Sequence, residues 1–187
     1  MKTDNRGFTL TELIVCIVIF SIVLLAVFGF MVAGARSYSN VDSRVARQLK
    51  SQLALGQIGD CLMNCNTGIN IADSGNTVYI LSKDNANQYT LQVFKLDVTS
   101  KNIQYGSAAA TPKTTDGVTS YSAKITTWSK VTSNADSFAV ALTKPAADSP
   151  TVSAATVSLK FSGSATVYTK TVALRNTPPS VTITVTP

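Results

Sequence analysis

Glu12 is the residue of this chain best placed to do chemistry. The 187 residues hold nine Asp but this single Glu, and it stands at the edge of a long apolar run. A charged carboxylate in such a setting costs several kcal/mol unless a cation meets it, so its presence points to a function. Just ahead lie Gly7 and Phe8, behind a polar stretch, MKTDNRG, in which Lys2, Arg6 and the terminal amine form a basic flank. Equipment for catalysis is otherwise thin. The chain has no His, the commonest general base and transition-metal ligand, so none of its many serines has an imidazole to activate it. Its three Cys, with Cys16 inside the apolar run, cannot build a four-thiolate zinc site. Asp73, Asp84, Asp97, Asp116, Asp136 and Asp148 all lie near turn residues, where Asp ordinarily serves the backbone, and none sits in a calcium-loop signature. Trp128 and Tyr121 read as core or sheet-face residues rather than a ligand platform. No enzyme, metal or cofactor is expected.

The element that must position Glu12 is the run itself. Leu13 to Ala35 is 23 residues without a charge. As a helix it measures about 34 Å at roughly 1.5 Å per residue, and a hydrocarbon core is about 30 Å thick, so it spans with some tilt. Basic residues ahead of the run favour a cytoplasmic N-terminus, although Arg36 on the far side works against that bias. A secretory signal cut at Ala33-Gly34-Ala35 is one reading, but such signals have apolar stretches of only about 7–15 residues. A plain signal anchor accommodates the length and leaves Gly7 and Glu12 unexplained.

The string Gly7-Phe8-Thr9-Leu10-Thr11-Glu12-Leu13-Ile14 resembles the N-terminal signature of type IV prepilins and the pseudopilins of type II secretion. In that family a short basic leader ends in Gly, Phe usually follows, Glu stands fifth after the cut and a long apolar run comes next. The resemblance covers about the first 35 residues. It implies a leader, residues 1–7, removed by a membrane-embedded prepilin peptidase that cuts after Gly7 and methylates the new Phe8 amine. It further implies that Glu12 meets the amine of a neighbouring subunit during assembly. Many major pilins carry a Pro late in the run, where this chain has Phe28-Gly29-Phe30. The extracytoplasmic setting that the resemblance implies makes Cys61 and Cys65, the two Cys outside the membrane segment, a candidate local disulfide, with two free thiols as the alternative.

Beyond the transmembrane and assembly helix (8–35), residues 36–66 read as its amphipathic continuation. Tyr38, Val41, Val45, Leu49 and Leu53 fall on one stripe, which Leu55, Ile58 and Leu62 continue with a slip; this half of the helix is expected to pack against a sheet, and Gly68 is a natural stop. Residues 67–187 alternate like strands: 77–82, 89–97, 121–128, 137–143, 156–161, 166–174 and 180–186, with Gly163-Ser164 as a hairpin and 106–118 as a low-complexity loop. Pro178-Pro179 is expected to interrupt pairing ahead of the last strand. One helix followed by many strands predicts an α+β fold with an antiparallel sheet, which is also the fold of pilins.

The expected function is a structural subunit of a type IV pilus or type II secretion-like filament, held in the cytoplasmic membrane before assembly and extracellular or periplasmic afterwards. Within the family, the long β-rich region and the ending Leu174-Arg175-Asn176 resemble minor pilins or pseudopilins. Expected partners are other pilin subunits, the prepilin peptidase and methyltransferase, a membrane assembly platform and membrane lipid. The formal charge of +6 is spread thinly, with no basic block, so DNA binding has no support beyond net charge. A monomeric, membrane-tethered binding protein or adhesin is the competing expectation.

Overall fold

The structure is a computed structural model that describes residues 9–115 and 118–186. Its first element is α1, Leu10–Met63, an unbroken helix of 54 residues that passes through Phe28-Gly29-Phe30 without interruption. The chain divides into two compact units, 1–46 and 47–187.

In the first unit the helix is apolar on every side across the predicted span, and its large side chains from Leu10 to Val32 are exposed. A helix with no polar face belongs in a membrane or in the middle of a bundle. The polar Ser21 is satisfied within the helix, its hydroxyl donating to the Ile17 carbonyl at 2.7 Å.

In the second unit the last turns of α1 bury Ser51, Ala54, Leu55, Ile58, Gly59 and Leu62. The spacing of three, one, three, one and three keeps these residues on one helical face. Leu55, Ile58 and Leu62, the expected continuation of the apolar stripe, thus cover the sheet, whereas the earlier part of that stripe does not. Leu49 and Leu53 are exposed, as are Tyr38, Val41 and Val45 in the first unit. The small Ala54 and Gly59 let the backbone approach the strands, and this close face, rather than the bulkier one, carries the contact. Gly59 faces Lys170 and Val172, whose side chains leave little room for a β-carbon.

The helix ends at Met63, where Cys65 N–H reaches back to the Leu62 carbonyl at 3.1 Å. Gly68 is not its stop but the first residue of β1, Gly68–Ala72. The strands that follow are β2 Thr77–Lys83, β3 Tyr89–Asp97, β4 Asn102–Thr115, β5 Val118–Lys124, β6 Trp128–Ser133, β7 Ala135–Thr143, β8 Ala154–Phe161, β9 Val167–Ala173 and β10 Ile183–Thr186. The larger sheet runs β1-β2-β3-β4-β5-β10, with β6 also on β4; β7-β8-β9 form a smaller one. All pairings between strands are antiparallel except β10 on β5, which is parallel. The class is α+β, as expected.

Alternation splits the larger sheet between two cores. Val78 and Ile80 of β2 join Phe94 and Ile103 against α1 and the smaller sheet. Their neighbours Tyr79 and Leu81 turn the other way, to Leu91, Val93 and Tyr121. This is the period-two geometry of a strand buried on both faces.

Four expectations need correction. Residues 106–115 of the expected loop are strand: β4 runs to Thr115 and pairs with β5 as far as Thr115↔Val118. Its inward residues, Ala108 and Ala110, are too small to advertise a strand. Residues 121–128 are not one strand but the end of β5 and the start of β6, which both lie along β4. The strands β1 and β6 were not foreseen as such. Finally, the last strand begins at Ile183 rather than Ser180: across Pro178-Pro179 there are only isolated bridges, although the two carbonyls accept from Val152 N–H (2.9 Å) and Ile69 N–H (3.1 Å). Proline lacks only the donor. The turn at Gly163, between β8 and β9, lies where expected, with a left-handed φ of 71°.

Candidate functional site

Gly7 and Phe8, and the expected leader 1–7, lie outside the described residues; so does Asp116. The described part of the N-terminal motif begins at Thr9, and there the sequence builds a specific local device. Thr9 precedes the first helical residue and Glu12 follows three positions later, the spacing of a capping box. The Thr9 backbone N–H donates to Glu12 Oε2 at 3.0 Å and the Thr9 hydroxyl donates to the same oxygen at 2.9 Å. In return Glu12 N–H lies 3.4 Å from Thr9 Oγ1, and Leu13 N–H closes the first turn on the Thr9 carbonyl at 3.2 Å. The box satisfies helix-end donors that lipid cannot satisfy. Among the described residues Glu12 Oε1 has no hydrogen bond, so one oxygen of the carboxylate stays open to a cation. Thr9 was missed as a functional residue, although Thr9-x-x-Glu12 before an apolar run is its sequence signal.

The family model described as the prokaryotic N-terminal methylation motif matches residues 2–28. With the apolar helix, that match marks a type IV pilin-like protein. No curated protein and no solved structure matches the chain. The pilin-like assignment thus rests on the N-terminal segment, where Gly7, Phe8, Thr9 and Glu12 all fall inside the matched span.

The cysteines of this pilin-like chain are free thiols in the structure, and the local disulfide between Cys61 and Cys65 is not formed. Cys61 is half-buried on the last turn of α1, whereas Cys65 lies past the helix end with no exposed surface. Its thiol donates to the Gly68 carbonyl at 3.2 Å and lies 3.6 Å from that of Leu81. Burial pushes the Cys65 thiol up to about 11, against partial compensation by backbone groups of Gly68, Leu81 and Thr67. Asn176, of the Leu174-Arg175-Asn176 ending, donates its amide to the Cys65 carbonyl at 3.3 Å, and Leu174 is buried in the core beside it.

The turn aspartates mostly serve local structure. Asp84 accepts from Ala86 and Gln88 N–H, and Asp97 from Thr99 and Ser100 N–H and the Ser100 hydroxyl. Ser100 holds Asp97 below the usual carboxylate range. The Lys101 ammonium does the same for Asp136 across 2.7 Å. Among the described residues no three metal-ligating side chains gather. Tyr121 is buried beside Tyr89, their ring centroids 5.3 Å apart. Trp128 is only half-buried, and its ring lies under the Lys95 ammonium, 3.9 Å from the centroid.

Proposed function

We propose that this chain is a non-enzymatic structural subunit, a minor pilin or pseudopilin, of a type IV pilus or type II secretion-like filament. The observation that carries the reading is the methylation motif set directly on an apolar helix whose exposed surface has no partner within its own chain. A prepilin peptidase cuts after Gly7 and the Phe8 amine is methylated. Until assembly the helix rests in membrane lipid, with its N-terminus cytoplasmic. An assembly platform then lifts the subunit among other pilins, where the helices exclude water from one another. Outward residues Tyr38, Val41, Val45, Leu49 and Leu53 extend the apolar surface past the length of a bilayer. Lipid cannot cover them all, and neighbouring helices can.

The test is incorporation. A tagged chain, expressed in its own host, should be found along or at the ends of shear-released filaments by immunogold labelling. A tag confined to the membrane fraction, with none on filaments from the same cells, overturns the proposal and returns the tethered binding protein.

A further inference from the structure

At one end of the larger sheet, side chains of β2, β3, β6 and β10 surround a half-open groove of about 290 Å³. Its apolar wall is made by Val93, Ile125 and Val185. Polar groups stand around that wall. The Lys95 ammonium has no hydrogen-bond acceptor among the described residues; it lies over the Trp128 ring, 3.9 Å from its centroid, and Asp97, outside the groove, attracts it as well. Asp73 accepts the Thr77 hydroxyl on Oδ2 at 2.7 Å, and its Oδ1 has no hydrogen bond among the described residues. Burial, and next the Asp73 carboxylate, push the Tyr79 phenol up, so it stays protonated and able to donate. Asp73 and Ser74 both have left-handed backbones, with φ of 52° and 55°, ahead of Gly75 at 101°. Two such non-glycine residues in succession are costly, and strain of this kind gathers where a side chain must be aimed.

The groove's chemistry selects its ligand. Among the lining residues one carboxylate and one ammonium balance, so an anion meets Asp73 and a cation meets Lys95. Its volume is near the lower end of small-molecule sites, which run from about 300 to 1,000 Å³, so it takes a compact unit rather than a polymer segment. A neutral molecule with adjacent hydroxyls satisfies both ends: one hydroxyl donates to Asp73 Oδ1 while its neighbour accepts from Lys95 Nζ. Its C–H face then covers Val93, Ile125 and Val185. We propose that this groove is a binding subsite for a single neutral saccharide ring. The proposal is independent of filament assembly.

Trp128 is the only tryptophan of the chain and reports on the groove directly. Full-length protein, in a detergent without a sugar headgroup, is titrated to about 50 mM, well above a millimolar Kd, with methyl glucoside, methyl galactoside, methyl mannoside and N-acetylglucosamine. Binding is read by Trp128 emission and in parallel by calorimetry. At least one should give a saturable response. Asp73→Asn keeps the Thr77 acceptor and tolerates the left-handed backbone; Lys95→Met keeps the stem over the indole. Each should weaken that response by about tenfold or more, as expected on losing one charged hydrogen bond, with near-UV circular dichroism unchanged. No saturable response to any of the four overturns the proposal. So does an equal response to sodium acetate or glycine, which would make the site one for anions or zwitterions, or full binding by both variants.

Discussion

Val181 packs onto the α-carbon of Gly68, in the space where any other residue would place its β-carbon. Backbone bonds frame the contact: Ile69 N–H donates to the Pro179 carbonyl at 3.1 Å, and Val181 N–H donates to the Ile69 carbonyl at 3.2 Å. One residue later the Thr182 carbonyl accepts from Tyr121 N–H at 3.2 Å. The C-terminal tail thereby ties β1, at one end of the strand order, to β5, near the other. Gly68→Ala should therefore cost about 1–3 kcal/mol, the usual penalty for overpacking. Urea unfolding of the full chain, followed by Trp128 emission, measures it. In Gly68→Ala combined with Val181→Ala the cost should fall below the sum of the two single changes, because the residues touch. Additive costs would mean that the contact is slack.

Removal of residues 177–187 should unfold the second unit rather than merely trim it. The tail supplies acceptors to Val152, Ile69 and Tyr121 and a donor to the Pro150 carbonyl, besides the parallel pairing of β10 with β5. Leaving these groups and the apolar surface under Val181 and Ile183 bare costs more than the few kcal/mol by which domains are stable. Limited proteolysis and near-UV circular dichroism decide the matter. A truncated protein that stays folded yet fails to enter filaments would instead make the tail an intersubunit strand.

Legibility in the sequence followed side-chain size. The helix was readable because an uncharged run and a continuing period leave no other structure, and β3 because Tyr89, Leu91 and Val93 alternate with polar residues. The far half of β4 was hidden, since Ala108 and Ala110 leave room for Tyr121 and so carry no hydrophobic signal of their own. A turn signal was present in Asp116-Gly117, a hairpin dipeptide between two Thr-containing runs. Periodicity identified an apolar stripe at Tyr38–Leu53 but not what covers it, because an outward face and a core face share one pattern. At the candidate site Glu12 stood out by charge and place. Thr9 did not, being one of many threonines until its spacing to Glu12 is considered.

Cys65 should be inert in the folded chain and reactive once unfolded. With its thiol pushed from 9.0 to about 11, the folded protein holds little thiolate at pH 8, and the sulfur has no exposed surface. Because the neutral form is the favoured one, this contribution to stability is fully present below pH 9 and is lost as pH rises through about 11. Alkylation at pH 8 should label Cys65 only after denaturation. Denatured, unreduced protein should then carry label on both Cys61 and Cys65; two unlabelled sulfurs would establish the bridge that the structure lacks.

Processing should remove seven residues, Met1 to Gly7, and leave a chain that begins with methylated Phe8. The methylation-motif match over residues 2–28 includes this boundary. Intact-mass analysis of membrane or filament protein reads it directly. A chain that begins at Arg36 would establish the secretory cleavage and sink the pilin-like processing.

Glu12 has two roles to be separated, helix cap and charge partner. As a cap it takes two donors from Thr9 on Oε2, and such a cap is worth about 1 kcal/mol. As a charge it offers the open Oε1 to a cation, and the expected cation is the Phe8 amine of its own or a neighbouring subunit. Breaking a buried pair of that kind costs about 3–5 kcal/mol, so the charge should outweigh the cap. Glu12→Gln decides between them, because glutamine can close the same box while carrying no charge. We expect Glu12→Ala and Glu12→Gln to be cleaved and membrane-resident alike, and both to enter filaments poorly, with Glu12→Ala, which loses the cap as well, somewhat the worse. Glu12→Asp, which keeps the charge but shortens the reach, should retain partial entry. Thr9→Val removes the hydroxyl but leaves its backbone N–H, and should reduce entry less than either charge-removing change. The assay counts tagged subunits in sheared filaments against a matched membrane fraction. If Glu12→Gln enters as the wild type does while Glu12→Ala fails, the carboxylate acts as a helix cap, and the pairing with Phe8 is not what sets this subunit in place.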